Sequence, residues 1–290
     1  MEGRYGYIDL RCLISNLSAC AEDQACVPEH RHETFRQKQA LRRAGTGSAR
    51  GAPLNHGVFL KNLEIKLEEL QDIVVRCRKC PRLVSYLKEV SDHKPRRYRD
   101  EDYWSKPLPS FGDPDARVLI VGLAPAAQGG NRTGRMFTGD RSGEWLFNAF
   151  YRFGFANHPN SFRRDDDFKL NDCYVTATIR CAPPKNKPLP EEIENCRHYF
   201  LKELDLLKKV KVIVPLGQIA FTQTLKSLRL KDYEIPPLVF GHGKTYVLRT
   251  PSSSLRTLIT TYHPSQQNTQ TGKLTRPMFH RIFRLVKKKL

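Results

Sequence analysis

The sequence predicts an α/β sandwich built around a mainly parallel sheet, and three observations carry that prediction. Four short apolar runs, RVLIVGL at 117–123, CYVTATI at 173–179, KVIVPLG at 211–217 and LITTYHP at 258–264, have the continuity of strands buried on both faces. Segments with apolar residues at helical spacing separate them, and strands that alternate with helices pair in parallel. Gly-rich or polar loops follow the first and last runs, at the carboxyl edge where open parallel sheets bind their ligands.

Taken in order, residues 1–56 hold no sustained period and run into RRAGTGSARGAPLNHG, a stretch of linker composition. They read as a poorly ordered extension, and 57–290 reads as the folded domain. Leu63, Leu67, Leu70, Ile73 and Val74 recur at helical spacing, so a helix delivers Cys77 and Cys80. After the first strand and its loop, Trp145, Leu146, Ala149, Phe150 and Phe153 share one helical face. GQIAFTQTLKSL and TRPMFHRIFRLV repeat the pattern, the second with Thr275 placed to cap and Pro277 in the first turn.

Composition narrows the partners. The chain of 290 residues carries 49 Lys and Arg against 30 Asp and Glu, a formal charge of +19, which is the electrostatic footprint of a polyanion binder. Nucleic acid comes first, with anionic lipid as the plainer alternative. The sequence holds no apolar run of the roughly 18 residues that a spanning helix needs, so a soluble protein is expected. Of the eight cysteines, four form two spaced pairs: Cys77 with Cys80 in CRKC, and Cys181 with Cys196 about a hundred residues later. Without a secretory signal peptide at the start, a metal site is a better reading than a disulfide framework. Zinc and iron–sulfur both accept four thiolates, and the spacing leaves the two open.

The loop GLAPAAQGGNRTGRMFTGD at 122–140 lacks the Lys of a phosphate-cradling loop and the glycine spacing of a dinucleotide fold. Its glycines let backbone approach a ligand, and Asn131, Arg132, Thr133 and Arg135 with Phe137 suit a planar ring joined to a phosphodiester. Asp140 stands just before a helix, where a carboxylate caps free amides as readily as it takes part in chemistry. His263 falls at the sheet's carboxyl edge, followed by Gln266, Gln267 and Asn268, whose amides can reach base edges in a duplex.

These segments, GLAPAAQGGNRTGRMFTGD, RCAPPKNKP, FGHG and YHPSQQNTQTGKLT with CRKCPRLV upstream, together resemble the family 5 uracil-DNA glycosylases of bacteria and archaea, from about Leu63 to the C-terminus. The resemblance implies a three-layer α/β/α sandwich with a four-stranded parallel sheet. It implies a 4Fe-4S cluster on Cys77, Cys80, Cys181 and Cys196. It also implies a cytoplasmic, monomeric enzyme whose partner is double-stranded DNA containing uracil, from which it removes the base and leaves an abasic site.

A base within the stack must be flipped out to be reached, and Phe137 can then stack on it. Uracil leaves as an anion, and His263 is the candidate donor to that developing charge. By resemblance Asn131 positions the attacking water, with Asp140 second. The place where other branches carry an acidic or amide residue holds Ala124, and the base-reading asparagine of the second strand is replaced by Ala177. Asn186 is the candidate substitute. Gln128 stands where family members usually carry histidine. Two methyl-bearing positions in place of polar readers predict removal of other deaminated bases such as hypoxanthine besides uracil. Arg132 and Arg135, with Gln266, Gln267 and Asn268, are the candidate DNA contacts. A protein of another class, an iron–sulfur DNA binder that recognises damage without cutting a bond, predicts tight binding and no abasic product.

Overall fold

The computed structural model describes residues 56–290, with side chains from Lys66 onward. The extension expected at 1–56 lies almost wholly outside the described residues, as does the side chain of Leu63. The described residues form one unit.

The helix α1 (His56–Arg76) and helix α2 (Pro81–Asp92) flank the first cysteine pair, with Cys80 at the N-cap of α2 and proline in its first turn. Strand β1 (Phe111–Gly112) and strand β2 (Val118–Gly122) follow, then a short helix α3 (Gly130–Thr133) and helix α4 (Arg141–Arg152). Next come β3 (Cys173–Ala177), α5 (Pro190–Leu206), β4 (Val212–Pro215) and α6 (Gln218–Arg229). The chain closes with β5 (Thr245–Arg249), β6 (Leu255–Ile259), the short α7 (Gln266–Gln270) and α8 (Arg276–Lys287).

The sheet has six strands in the order β1-β3-β2-β4-β6-β5. Its middle four, β3, β2, β4 and β6, are mutually parallel, as the apolar runs predict. The strand count is corrected from four to six by an antiparallel strand at each edge. Both edge strands escape a search for continuous apolar runs: β1 has two residues, and along β5 only Leu248 is buried while Val247 is 57% exposed. The last parallel strand also begins at Leu255, three residues before the apolar run, because its first residues are partly solvated.

Alternation along β2 makes the layers. Val118 and Ile120 join Trp145, Leu146, Phe150, Phe279 and Phe283 in one core against α4 and α8. Leu119 and Val121 face the other way, onto Leu67, Phe200, Leu204, Phe221 and Leu225 from α1, α5 and α6. Period-2 side chains on a strand buried on both faces require such a three-layer arrangement. Of the helical residues predicted in α1, Leu67, Leu70 and Val74 are buried, whereas Ile73 is half exposed.

A third cluster holds the corner between α1, α2 and α5, and it includes Cys80, Cys181 and Cys196. A fully buried ion pair joins this corner to the sheet: Arg180 donates to Glu203 at 2.6 Å, and Glu203 also accepts from Thr176 at 2.6 Å and Gln71 at 3.2 Å. Removing one member of such a pair strands a charge in a dry interior.

Candidate active site

The loop after β2 and the segment after β6 meet at the carboxyl edge of the sheet. Phe137 and His263 come within ring contact, with centroids 6.3 Å apart and planes inclined by 31°. Phe137 has a left-handed backbone, φ 58°, unusual for a non-glycine residue and sustained only by its surroundings. Two glycines make that placement possible. A Cβ on Gly122 would meet the Phe137 ring at 2.9 Å, and a Cβ on Gly143 would meet the Phe137 carbonyl oxygen at 1.5 Å. The ring therefore lies over the end of β2 while its backbone lies against the first turn of α4.

His263 follows the strand end that Gly217 ties back, through its N–H to the Thr261 carbonyl at 2.9 Å. The Asn268 amide donates to the His263 carbonyl at 2.9 Å, so the first turn after Ser265 fixes the histidine backbone. Burial pushes the imidazole down to about 4, so the ring is neutral at physiological pH and can donate one hydrogen bond. Gln266 and Gln267 are exposed beside it.

Asn131, in α3, is completely buried, and neither its side-chain oxygen nor its nitrogen has a partner among the described residues. Buried amides are almost always paired, because an unpaired one forfeits its hydration. Such a group marks a place that a ligand or a water completes.

Asp140 is the N-cap of α4 and accepts from the Gly143 N–H at 2.9 Å. Burial raises its pKa, against the pull of the Gly143 and Ser142 amides. Of the two roles open to this residue in the sequence, the structure displays the cap. Asp140→Asn, which keeps a cap oxygen, is therefore expected to retain the single-turnover rate within about threefold, whereas Asp140→Ala costs about 1 kcal/mol of stability. Thermal melts and rates measured on both variants check this. A rate loss of about a hundredfold in Asp140→Asn would instead make the carboxylate a proton-transfer group.

The DNA-facing reading of Arg132 and Arg135 is corrected. Arg132 is 8% exposed and donates to the Gln128 carbonyl at 2.9 Å, the Gly139 carbonyl at 3.1 Å and the Glu101 carboxylate. Arg135 is 6% exposed and is enclosed by Ser161, Asp166 and the Arg163 carbonyl. Both guanidiniums brace the loop from inside, because loop carbonyls and the neighbouring Glu101 and Asp166 carboxylates supply partners that phosphates would otherwise offer.

Asn186 is exposed with a left-handed backbone on the turn Pro184–Asn186, and no described contact joins it to Phe137, His263 or Asn131. Gln128 accepts from the Tyr103 hydroxyl. Ala124 is partly buried against the cysteine corner, and Ala177 is buried at the end of β3.

Two residues that sequence reasoning passed over also belong here. Tyr103 anchors Gln128, and the His242 Nδ1 accepts from the Tyr262 N–H at 3.4 Å just before His263. Their signals were the alternating basic and aromatic residues of KPRRYRDEDYW and the lone histidine of FGHG.

Cys77, Cys80, Cys181 and Cys196 line one pocket with Lys79, Asn195, Arg180 and Tyr199, and all four are free thiols. Asn195 donates to the Cys80 sulfur at 3.6 Å. Burial, then the neighbouring thiols Cys196, Cys77 and Cys80, push Cys181 upward, and burial pushes Cys196 up to about 11. Among the described residues no group of three or more His, Cys, Asp or Glu converges closely enough for one metal ion. Four thiols sharing one pocket are a donor set of the kind that thiolate-ligated zinc and iron–sulfur groups both accept.

Fold and site together define an α/β protein that presents an aromatic face, a neutral imidazole and an unsatisfied amide at one sheet edge. The family model described as the uracil DNA glycosylase superfamily matches residues 109–287, and the chain belongs to that superfamily. It is 47% identical over 212 residues to a type-5 uracil-DNA glycosylase of Thermus thermophilus, covering 73% of this chain and 93% of the relative. It is 44% identical over 203 residues to a type-5 enzyme of Pyrobaculum aerophilum, covering 70% and 84% of the two chains. A type-5 enzyme of Mycobacterium bovis is 44% identical over 221 residues, covering 76% and 80%. Among the described residues no helix is long and apolar enough to cross a membrane.

Proposed function

We propose that this chain is a monofunctional uracil-DNA glycosylase of the type-5 kind, which extrudes uracil from duplex DNA and hydrolyses its N-glycosidic bond to leave an abasic site. The observation that carries the mechanism is the buried, unpartnered amide of Asn131 in the same loop that sets Phe137 against His263. The extruded base stacks on Phe137. The neutral His263 ring donates to the uracil oxygen as negative charge develops on the departing base. Asn131 holds the attacking water against the sugar, which replaces a bimolecular encounter with a positioned one. The exposed Gln266 and Gln267 are offered to the duplex, while the Asn268 amide holds the His263 backbone. The enzyme works as a monomer on chromosomal DNA in the cytoplasm.

Cys77, Cys80, Cys181 and Cys196 are the residues that would hold a 4Fe-4S cluster. When bound, the cluster supplies a covalent staple for the corner of α1, α2 and α5, and its binding energy is folding energy. Cys181→Ser is expected to lose most of its iron and acid-labile sulfide and to melt at lower temperature than the parent, read by iron and sulfide assays and by thermal denaturation. Stoichiometric zinc in anaerobically prepared parent protein would contradict this assignment.

Ala124 and Ala177 place methyl groups where polar base readers could stand, so the substrate range extends to hypoxanthine. A site built to bond a base's polar edge rejects analogues by roughly ten-thousand-fold, and methyl groups exert no such rejection. Matched duplexes carrying uracil, hypoxanthine or only normal bases, incubated under single turnover and treated with alkali, test both parts of the reading. Strand breakage at uracil, weaker but measurable breakage at hypoxanthine and none in the normal duplex is the expected result. Breakage at uracil alone would show strict reading of the base edge, and tight binding with no breakage would make the protein a non-catalytic damage binder.

A further inference from the structure

We infer that Arg96, Arg97 and Arg99 form a phosphate clamp that registers the DNA backbone against the loop carrying Asn131. The inference rests on the proposed DNA substrate and assigns the backbone contacts that Arg132 and Arg135, buried inside the fold, do not make. The three arginines lie on and just after a single turn, Arg96–Tyr98, and all three are exposed. None takes part in an ion pair among the described residues, while Arg82, Arg117, Arg132, Arg135, Arg180 and Arg197 all do. Arg96 and Arg99 line one open depression together with Asp100.

A run of exposed arginines is by itself an ordinary solvated surface. Here the surrounding segment is laced to α3 and to Gln128 just before it at several points. The buried Arg132 guanidinium stacks on Tyr98 at 4.0 Å, and Arg97 lies 4.7 Å from the same ring. Lys94 closes the turn by donating to the Glu101 carbonyl at 2.7 Å, and Glu101 pairs with Arg132. Further on, Tyr103 donates to Gln128, the Trp104 N–H donates to the Arg132 carbonyl at 3.0 Å, and the Ser105 N–H donates to the Asn131 carbonyl at 3.2 Å.

The turn is thus a rigid extension of the loop that holds Asn131. Guanidiniums without an anionic partner among the described residues match the fork geometry of phosphate oxygens. Contacts of this kind orient a protein on the duplex without reading sequence. Tyr98 couples that orientation to α3, so that gripping the backbone places the extruded nucleotide in register with Asn131.

The test compares three variants of the full-length protein: Arg96, Arg97 and Arg99 replaced together by glutamine, Tyr98→Leu, and Tyr98→Phe. Dissociation constants are measured on undamaged and uracil-containing duplexes across a salt series, with single-turnover rates at saturating DNA. The triple variant is expected to bind more weakly and to show a log–log salt slope lower in magnitude by about 2 to 3, since each lost phosphate contact removes roughly 0.9. Its rate at saturation should fall by a smaller factor than its affinity, as expected when positioning contacts are lost but the groups that stabilise the transition state are kept.

Tyr98→Leu should keep the parent salt slope and lose rate at saturation, while Tyr98→Phe, which keeps the ring under Arg132, restores it. An unchanged salt slope in the triple variant would overturn the clamp. A loss of saturated rate with unchanged affinity in that variant would also overturn it, by making the arginines structural. Affinity and slope are read on undamaged DNA as well, so failure of the clamp is distinct from failure to excise uracil.

Discussion

Replacing Asn131 by alanine is expected to lower the single-turnover rate of uracil excision about a hundredfold or more while leaving duplex affinity within about threefold, because the amide acts by positioning. The same variant should melt at or above the parent temperature. That combination is unusual for a buried polar residue, whose removal ordinarily strands a partner. Among the described residues the Asn131 side chain has no partner to strand: it is fully buried and both its polar atoms are unsatisfied. Replacing it with a methyl group removes an uncompensated desolvation cost and leaves the fold's hydrogen bonds intact. A clear fall in melting temperature with an unchanged rate would assign the amide to the structure and remove it from the chemistry.

His263→Ala carries the other large effect, a fall of about 10²–10³-fold in single-turnover rate, the range for removing one donor aimed at developing negative charge. Binding should change far less, because the donor acts mainly once charge appears on the leaving base. The acidity of the ring adds a second signature. Burial holds it at about 4 against the ordinary 6.5, so the neutral form persists through mildly acidic conditions. The rate should therefore show no inflection near 6.5 that disappears in His263→Ala.

Stability follows the same displacement. Between about 4 and 6.5 the unfolded chain binds more protons at this site than the folded protein. The contribution of the neutral ring is complete above 6.5 and is lost as pH falls toward 4. Parent and His263→Ala should thus differ less in pH-dependent stability at neutrality than in that window, as read by melts from pH 4 to 7.

The parallel half of the fold was legible because strands buried on both faces leave continuous apolar runs, and β2, β3 and β4 lie within theirs. The edges were not: β5 buries Leu248 alone, and β1 is too short to show a period. Phe137 and His263 were legible as neighbours because each follows a strand of one parallel sheet, which brings their loops to a common edge.

Arg132 and Arg135 misled because charge in a Gly-rich loop reads as outward-facing. Their partners, Glu101 and Asp166, lie 31 positions away in each case and leave no local mark. The four cysteines could be paired off by spacing, but only folding brings 77 and 80 into one pocket with 181 and 196. The lacing of Tyr98, Tyr103 and Trp104 onto α3 and Gln128 left only the alternating basic and aromatic residues of that segment as a mark, since it runs through one aromatic stack, one side-chain amide and a backbone carbonyl.

The most direct test of the central claim is a product count on a duplex bearing one uracil. Free uracil is quantified by chromatography and abasic sites by aldehyde labelling in the same single-turnover reaction, with the strand kept intact by omitting alkali. The glycosylase account predicts one free uracil for each abasic site, an unbroken strand, and loss of both products together in His263→Ala. Stable protein–DNA complexes that release no uracil, or strand breakage without free base, would contradict it.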